Sequence, residues 1–278
     1  MHFMKHVLAA SAAILLVPTA ADSQRPGEPT ALTYADVADL ALAAPIAAHV
    51  RLRSASALKG AEAGSVPPGR TRFLIEADVL SLIRGGQGIP QRVTYLGDVA
   101  NTPSGKPAKL RKKSEYLILA VPVPGRPGEL RLVAPDAQLT FTAEGAESIR
   151  GVLREATAAD AAPGITGIGK AFHVPGSLRG ESETQIFLQT ADGRPVSLSV
   201  LRRPGETPRW AVALSEMVDD SAAPPQPNSL LWYRLACTLP QTLPRSSYAD
   251  AEASAAAAIQ ADYRLVMERL GRCARSRR

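Results

Sequence analysis

Histidine, cysteine and aromatic side chains are all scarce in this chain: 278 residues hold 4 histidines, 2 cysteines and only 5% aromatics. Two of the histidines, His2 and His6, sit at the extreme N-terminus, which leaves His49 and His173 for chemistry. A zinc site needs four ligands, commonly at short spacing. Cys237, Cys273 and two scattered histidines do not supply one, and no metal or other cofactor is expected. No Cys-x-x-Cys pair marks a redox centre, and no Gly-x-Ser-x-Gly elbow marks a serine hydrolase. The few aromatics do not interleave with the arginines, which sets nucleic acid aside as a partner. A formal charge of +6, spread among residues of both signs, permits weak attraction to anionic surfaces without demanding it.

Two partial motifs fail on their missing parts. Gly164 to Lys170 has the glycine spacing of a phosphate loop, but Ala171 stands where Ser or Thr should hold magnesium. Pro175 and Gly176 then block the helix that should follow. Ser56-Ala-Leu-Lys59 spells the first motif of the serine β-lactamases, yet the companion Ser-Asp-Asn and Lys-Thr-Gly elements do not occur.

What is present begins with an export signature. Met1–His6 is short and positive, Val7–Ala21 runs without a charge, and small residues lead to Asp22. That order predicts a signal peptide over residues 1–23, cleaved after Ala21 or Ser23. The apolar stretch is short for a permanent span, which takes about 20 residues. No cysteine follows it, so no lipid anchor is expected, and no later segment is apolar enough to span. The expectation is a soluble periplasmic protein, and in an oxidising compartment Cys237 and Cys273 should pair as one disulfide.

With 23 prolines and 21 glycines, the remaining chain is cut into short pieces that favour strands and turns. Thr33 caps a short helix that runs up to Pro45. Ile46, Ala48, Val50 and Leu52 alternate with His49 on the opposite face, and Phe73, Ile75, Ala77 and Val79 alternate again. Gly60–Gly69 reads as a loop and Asn101–Lys113 as a polar one. Further strands fall around Val93–Tyr95, Tyr116–Val121, Leu130–Val133 and Leu139–Phe141, and Glu144–Ala156 has helical spacing. After the small-residue linker Ala158–Pro163, Thr184–Thr190 and Val196–Val200 flank Asp192-Gly193, a strong hairpin signal. Trp210, Val212 and Leu214 follow, and Leu230–Leu235 reads as a last strand. From Ser247 an alanine-rich helix carries Ile259, Tyr263, Val266, Leu270 and Cys273 along one face.

The fold class expected is therefore mainly β (α+β). Two small antiparallel modules, an OB-like barrel with a helix over residues 32–157 and a meander over 164–240, precede a C-terminal helix at 247–274. That helix should dock on the second module, its Cys273 tied to the last strand at Cys237. Over residues 32–156 the order of elements resembles the OB-like barrels of exported netrin-type and metalloproteinase-inhibitor-type modules, without their cysteine framework. The stretches Gly180-Glu-Ser-Glu-Thr-Gln185 and Trp232-Tyr-Arg-Leu-Ala-Cys237 resemble uncharacterised exported proteins of sphingomonad-type bacteria. That resemblance transfers no catalytic residue.

The candidate sites are modest. His173 with Glu181 or Glu183 would make a histidine–carboxylate general base, and the two carboxylates would share a strand face. Lys106, Lys109, Arg111, Lys112 and Lys113 form a basic loop, and Arg269, Arg272, Arg275, Arg277 and Arg278 a basic tail. Either could touch anionic lipid or polymer. The functional expectation is a non-catalytic binding or envelope-associated accessory protein, its partner an envelope protein or an anionic polymer. The alternative is a periplasmic hydrolase built on His173.

Overall fold

A computed structural model describes residues 32–86, 88–214 and 222–277. The signal peptide expected over residues 1–23 lies outside the described residues.

The chain from Leu32 onward is one contiguous unit holding two sheets. Helix α1 (Tyr34–Ala43) opens with the expected cap: the Thr33 hydroxyl accepts from the Asp36 amide, and the Asp36 carboxylate accepts from the Thr33 amide. Strands β1 (Ile46–Ala57), β2 (Arg70–Arg84), β3 (Arg92–Ala100), β4 (Glu115–Pro122) and β5 (Glu129–Leu132) follow, with a one-turn helix, α2 (Gly60–Ala63), in the first connection. They pair in the order β1-β2-β3-β5-β4, and β4 pairs back onto β1, closing a five-stranded barrel. Register shifts in the β1–β2 pair let those long strands bend around it. β6 (Gln138–Thr140) pairs with the first part of β4 along the edge that β5 occupies further on, and α3 (Ala143–Thr157) follows, capped by Thr142.

The alternation read from the sequence decides the faces. Ile46, Ala48, Val50 and Leu52 point into the barrel with Ile75, Ala77, Val93, Tyr95 and Ile118. Ala47, Leu117 and Leu119 point outward beneath α1 and α3, where Leu40, Ile149 and Val152 complete a second layer. β4 is thus buried on both faces, which explains its unbroken apolar run. His49 stays off the barrel interior, stacked on Phe141 at 3.7 Å and bonded to Glu115 at 2.8 Å.

The second sheet is an antiparallel meander of β7 (Ile165–Pro175), β8 (Ser182–Thr190), β9 (Val196–Arg202) and β10 (Arg209–Ala213). Its inner face, with Ile186, Leu198, Val200, Trp210 and Val212, packs on α5 (Ala253–Leu270) through Ile259, Tyr263 and Val266.

Two expectations about the C-terminal region are corrected. Leu230–Ala236 is a helix, α4, not a strand: Ser229 caps it by accepting from the Trp232 amide, and a short apolar run carries no period that separates strand from helix. The last helix starts at Ala253, Ser247 belonging to a 3₁₀ turn (Arg245–Ser247). It stops at Gly271, whose φ of 74° suits glycine, so Cys273 lies beyond the helix. The disulfide does form, with the Cys237 and Cys273 Cα atoms 5.1 Å apart. It joins the end of α4 to the segment after α5.

Within that segment Arg275 and Arg277 of the expected basic tail form a strap, and Arg278 lies outside the described residues. The Ser276 amide and hydroxyl donate to Asp36 at 2.9 and 2.6 Å, and the Arg275 Nε to Asp39 at 2.7 Å. The Arg277 guanidinium donates to both oxygens of Asp136 at 2.8 and 2.7 Å. Tyr233 on α4 donates to Asp39 at 2.6 Å, and the Leu230 amide to Glu155 at 2.7 Å. The barrel module and the second sheet are laced together by charge-assisted bonds.

Candidate functional site

The second sheet carries the residues singled out from the sequence, and its two faces divide them. On the inner side, His173 of β7 stands opposite Thr184 of β8 in the ladder, and its Nδ1 lies 2.8 Å from the Thr184 hydroxyl. Thr184 is fully buried and donates to Asp262 at 2.5 Å, and Asp262, equally buried on α5, accepts from Arg202 at 2.8 Å. A hydroxyl has one proton to give. Since the Asp262 carboxylate takes it, Thr184 must accept from His173, which fixes the proton of the neutral ring on Nδ1. Nε2 is then an acceptor, with no protein partner among the described residues.

Glu181 and Glu183 do not join this row. Glu183 follows the outward alternation of β8, beside Val174 and Leu201, on the face opposite Thr184. Glu181 precedes β8, its carboxylate near Gly176 and the Leu178 amide. The two carboxylates lie neither on one strand nor beside the histidine.

Thr184, Asp262 and Arg202 were not foreseen, although signals existed. Thr184 is a polar residue at an inward position of an alternating strand. Asp262 is an acid three residues after Ile259 on the apolar stripe of α5. A buried carboxylate persists only when paired and hydrogen-bonded, so each was a pointer to the other.

Beside His173 lies a cavity of about 230 Å³ between β7 and the start of α5. Lys170 reaches Asp250 across its rim at 2.6 Å. Ser247 belongs to its wall, is only 2% exposed, and its hydroxyl finds no partner among the described residues.

The outer face differs. Antiparallel sheets with one solvated face turn polar residues outward. Here Phe172 is 56% exposed, Val174 63% and Phe187 40%, with the two phenylalanine rings edge to face at 6.1 Å. At the β10 margin of the sheet a groove of about 660 Å³ is lined by Leu201 and Glu183 of the outer face, by Trp210 of the inner face, by Arg203 and Arg209, and by Arg269 of α5. The basic loop lies elsewhere, between β3 and β4. Its Lys106, Lys109, Arg111, Lys112 and Lys113 are all exposed, without a carboxylate partner among the described residues.

No group of acidic, histidine or cysteine side chains suited to holding a metal occurs among the described residues, and no helix there is long and apolar enough to cross a membrane. Compared with protein-family models and with curated proteins, the chain matches none.

Proposed function

We propose that this is an exported, non-catalytic binding protein of the cell envelope whose recognition surface is the outer face of the β7–β10 sheet. The observation that carries the reading is the apolar cluster there, Phe172, Val174 and Phe187, where an ordinary solvated sheet face would be polar. The arginines of the adjoining groove favour an envelope protein that presents an apolar segment with acidic flanks. The Cys237–Cys273 disulfide supports an oxidising compartment, and the apolar N-terminal stretch Val7–Ala21 supports the route there.

Photo-crosslinking residues placed at Phe172, Phe187, and, as controls, at the exposed barrel leucines Leu74 and Leu96 test this in living cells. The expected result is one discrete adduct from both sheet positions, abolished by Val174→Asp, and none from the barrel. Adducts confined to the barrel positions, or no adduct at all, would overturn the reading. So would finding Met1 at the N-terminus of the protein recovered from the periplasm.

A further inference from the structure

We propose that the end of the barrel carrying the basic loop docks on the anionic headgroups of a lipid bilayer. This surface is separate from the outer face of the β7–β10 sheet, and neither reading needs the other.

The case begins with charge. Residues 101–114 run from the end of β3 to the start of β4, and residues 58–72 lead from β1 into β2 at the same end of the barrel. The Asn101 amide donates to the Gly69 carbonyl there, and the Lys113 amide to that of Leu52. Counting Asp98 with them, these stretches set eight cations, the basic loop with Lys59, Arg70 and Arg72, against two carboxylates, Glu62 and Asp98. That excess equals the formal charge of +6 on the whole chain, so the remaining residues sum to zero. Asp98 neutralises Arg72 at 2.7 Å, whereas Lys59 and the five cations of the loop are exposed and have no carboxylate partner among the described residues.

Order is the second observation, because a charge run kept only for solubility needs no fixed shape. Leu110 packs on the barrel interior, and the Thr102 amide and hydroxyl donate to the Lys106 carbonyl at 2.8 and 3.0 Å. The Thr71 hydroxyl donates to Asn101 at 2.7 Å. Lys113 has a φ of 69°, left-handed backbone that glycine adopts without steric cost and lysine does not. Strain of this kind clusters at functional positions.

The third observation selects a bilayer over a soluble polyanion. Leu74 and Leu96 oppose each other on β2 and β3, two residues along the ladder from Arg72 and Asp98, and are 43% and 45% exposed. Binding at a membrane surface combines electrostatic attraction with burial of apolar area, and each Lys or Arg close to an anionic leaflet contributes about fivefold in affinity. A dissolved polyanion has no use for the leucines.

The test sediments the protein, as isolated from cells, with vesicles of phosphatidylcholine alone or of equal parts phosphatidylcholine and phosphatidylglycerol. Binding should require phosphatidylglycerol and weaken as salt rises. Lys109→Gln with Lys112→Gln should weaken it at least tenfold. Arg150→Gln with Arg154→Gln, the same change of charge on α3, should leave it unchanged. Lys113→Gly should weaken it about fivefold without lowering the melting temperature, since glycine suits that backbone. Leu74→Ser with Leu96→Ser should weaken vesicle binding several-fold. No binding, equal binding to both kinds of vesicle, an equal loss in the α3 pair, full affinity in the leucine pair, or tighter binding of soluble polyphosphate than of vesicles would each overturn the proposal.

Discussion

The barrel and the second sheet solve the same problem in opposite ways. A sheet must dispose of its edges, whose unpaired amides and carbonyls invite other chains. The barrel removes them by pairing β4 onto β1, and α1 and α3 cover part of its outside. The second sheet stays open, with β10 and β7 at its margins and with Phe172, Val174 and Phe187 exposed on its outer face. Closure gives the barrel a core that depends on itself. The open sheet depends on what is brought to it: α5 across its inner face, α4 beside that, and the disulfide between the segments that end them. The features that resist a purely structural account, an outward aromatic pair and an inward histidine wired to a buried aspartate, both belong to the open sheet.

Removing the staple should therefore strike the two halves unequally. Cys237 and Cys273 are separated by 36 positions, and a loop of that length corresponds to roughly 3–4 kcal/mol in the chain-entropy description. Cys273→Ser should lower unfolding free energy by about that amount. By hydrogen exchange, amides of β7–β10 and α5 should lose protection while those of β1 and β4 keep theirs. Equal loss in both sheets would show that the barrel leans on the disulfide too.

The strap sharpens the comparison from the other side, because it ties the open sheet's helices to the closed barrel's. Burial would raise the Asp36 carboxyl, but hydrogen bonds from Ser276 and Thr33 outweigh it and hold it well below the usual carboxylate range. Burial acts the same way at Asp39 and is outweighed by Arg275 and Tyr233, and the Arg277 guanidinium lowers Asp136 directly. All three are depressed in the folded state, so the stability they give is full above about pH 4, the range of unfolded aspartates, and fades as pH falls further. Acid should thus release the strap before the barrel unfolds. Asp36→Ala should cost about 2–3 kcal/mol at pH 7, since half-buried donors on Thr33 and Ser276 lose a buried, charged partner. It should also flatten the dependence of melting temperature on pH below 4. A variant as acid-sensitive as the parent would remove Asp36 from this role.

How much of this could be read from the sequence follows the same divide. Strong two-residue alternation located β1 and β2 of the barrel and the two strands about Asp192-Gly193, with their inward residues, because a half-buried strand writes its burial into every second position, whereas β4 was legible only as an unbroken apolar run. Thr33 and Glu144–Ala156 located α1 and α3 for similar local reasons. The reading failed at Leu230–Ala236, where seven residues are too few to show a period, and at the helix start, where alanines continue smoothly across the true boundary. The strap was illegible because Arg275 and Arg277 meet Asp39 and Asp136, far away in the chain. The carboxylate nearest His173 in its hydrogen-bonded row was missed for the same reason: proximity in sequence suggested Glu181 and Glu183, while Asp262, reached only through Thr184, lies on α5.

The smallest effect expected is the most telling about the open face. Phe187 and Ile186 are neighbours on β8, one outward and 40% exposed, the other inward and fully buried. Ile186→Ser should cost several kcal/mol, because it empties core volume and buries a hydroxyl without a partner. Phe187→Ser removes an aromatic edge contact with Phe172, and such a pair contributes about 0.5–1.5 kcal/mol when well buried. Here water already reaches both rings, so the loss should fall at or below about 0.5 kcal/mol, the range of ordinary surface changes. If the outer aromatics existed to hold the sheet together, the two substitutions would converge, and urea unfolding of the pair would show Phe187→Ser costing more than about 2 kcal/mol. A near-neutral Phe187→Ser means that these side chains lie where folding does not need them, exposed on the outer face of the sheet.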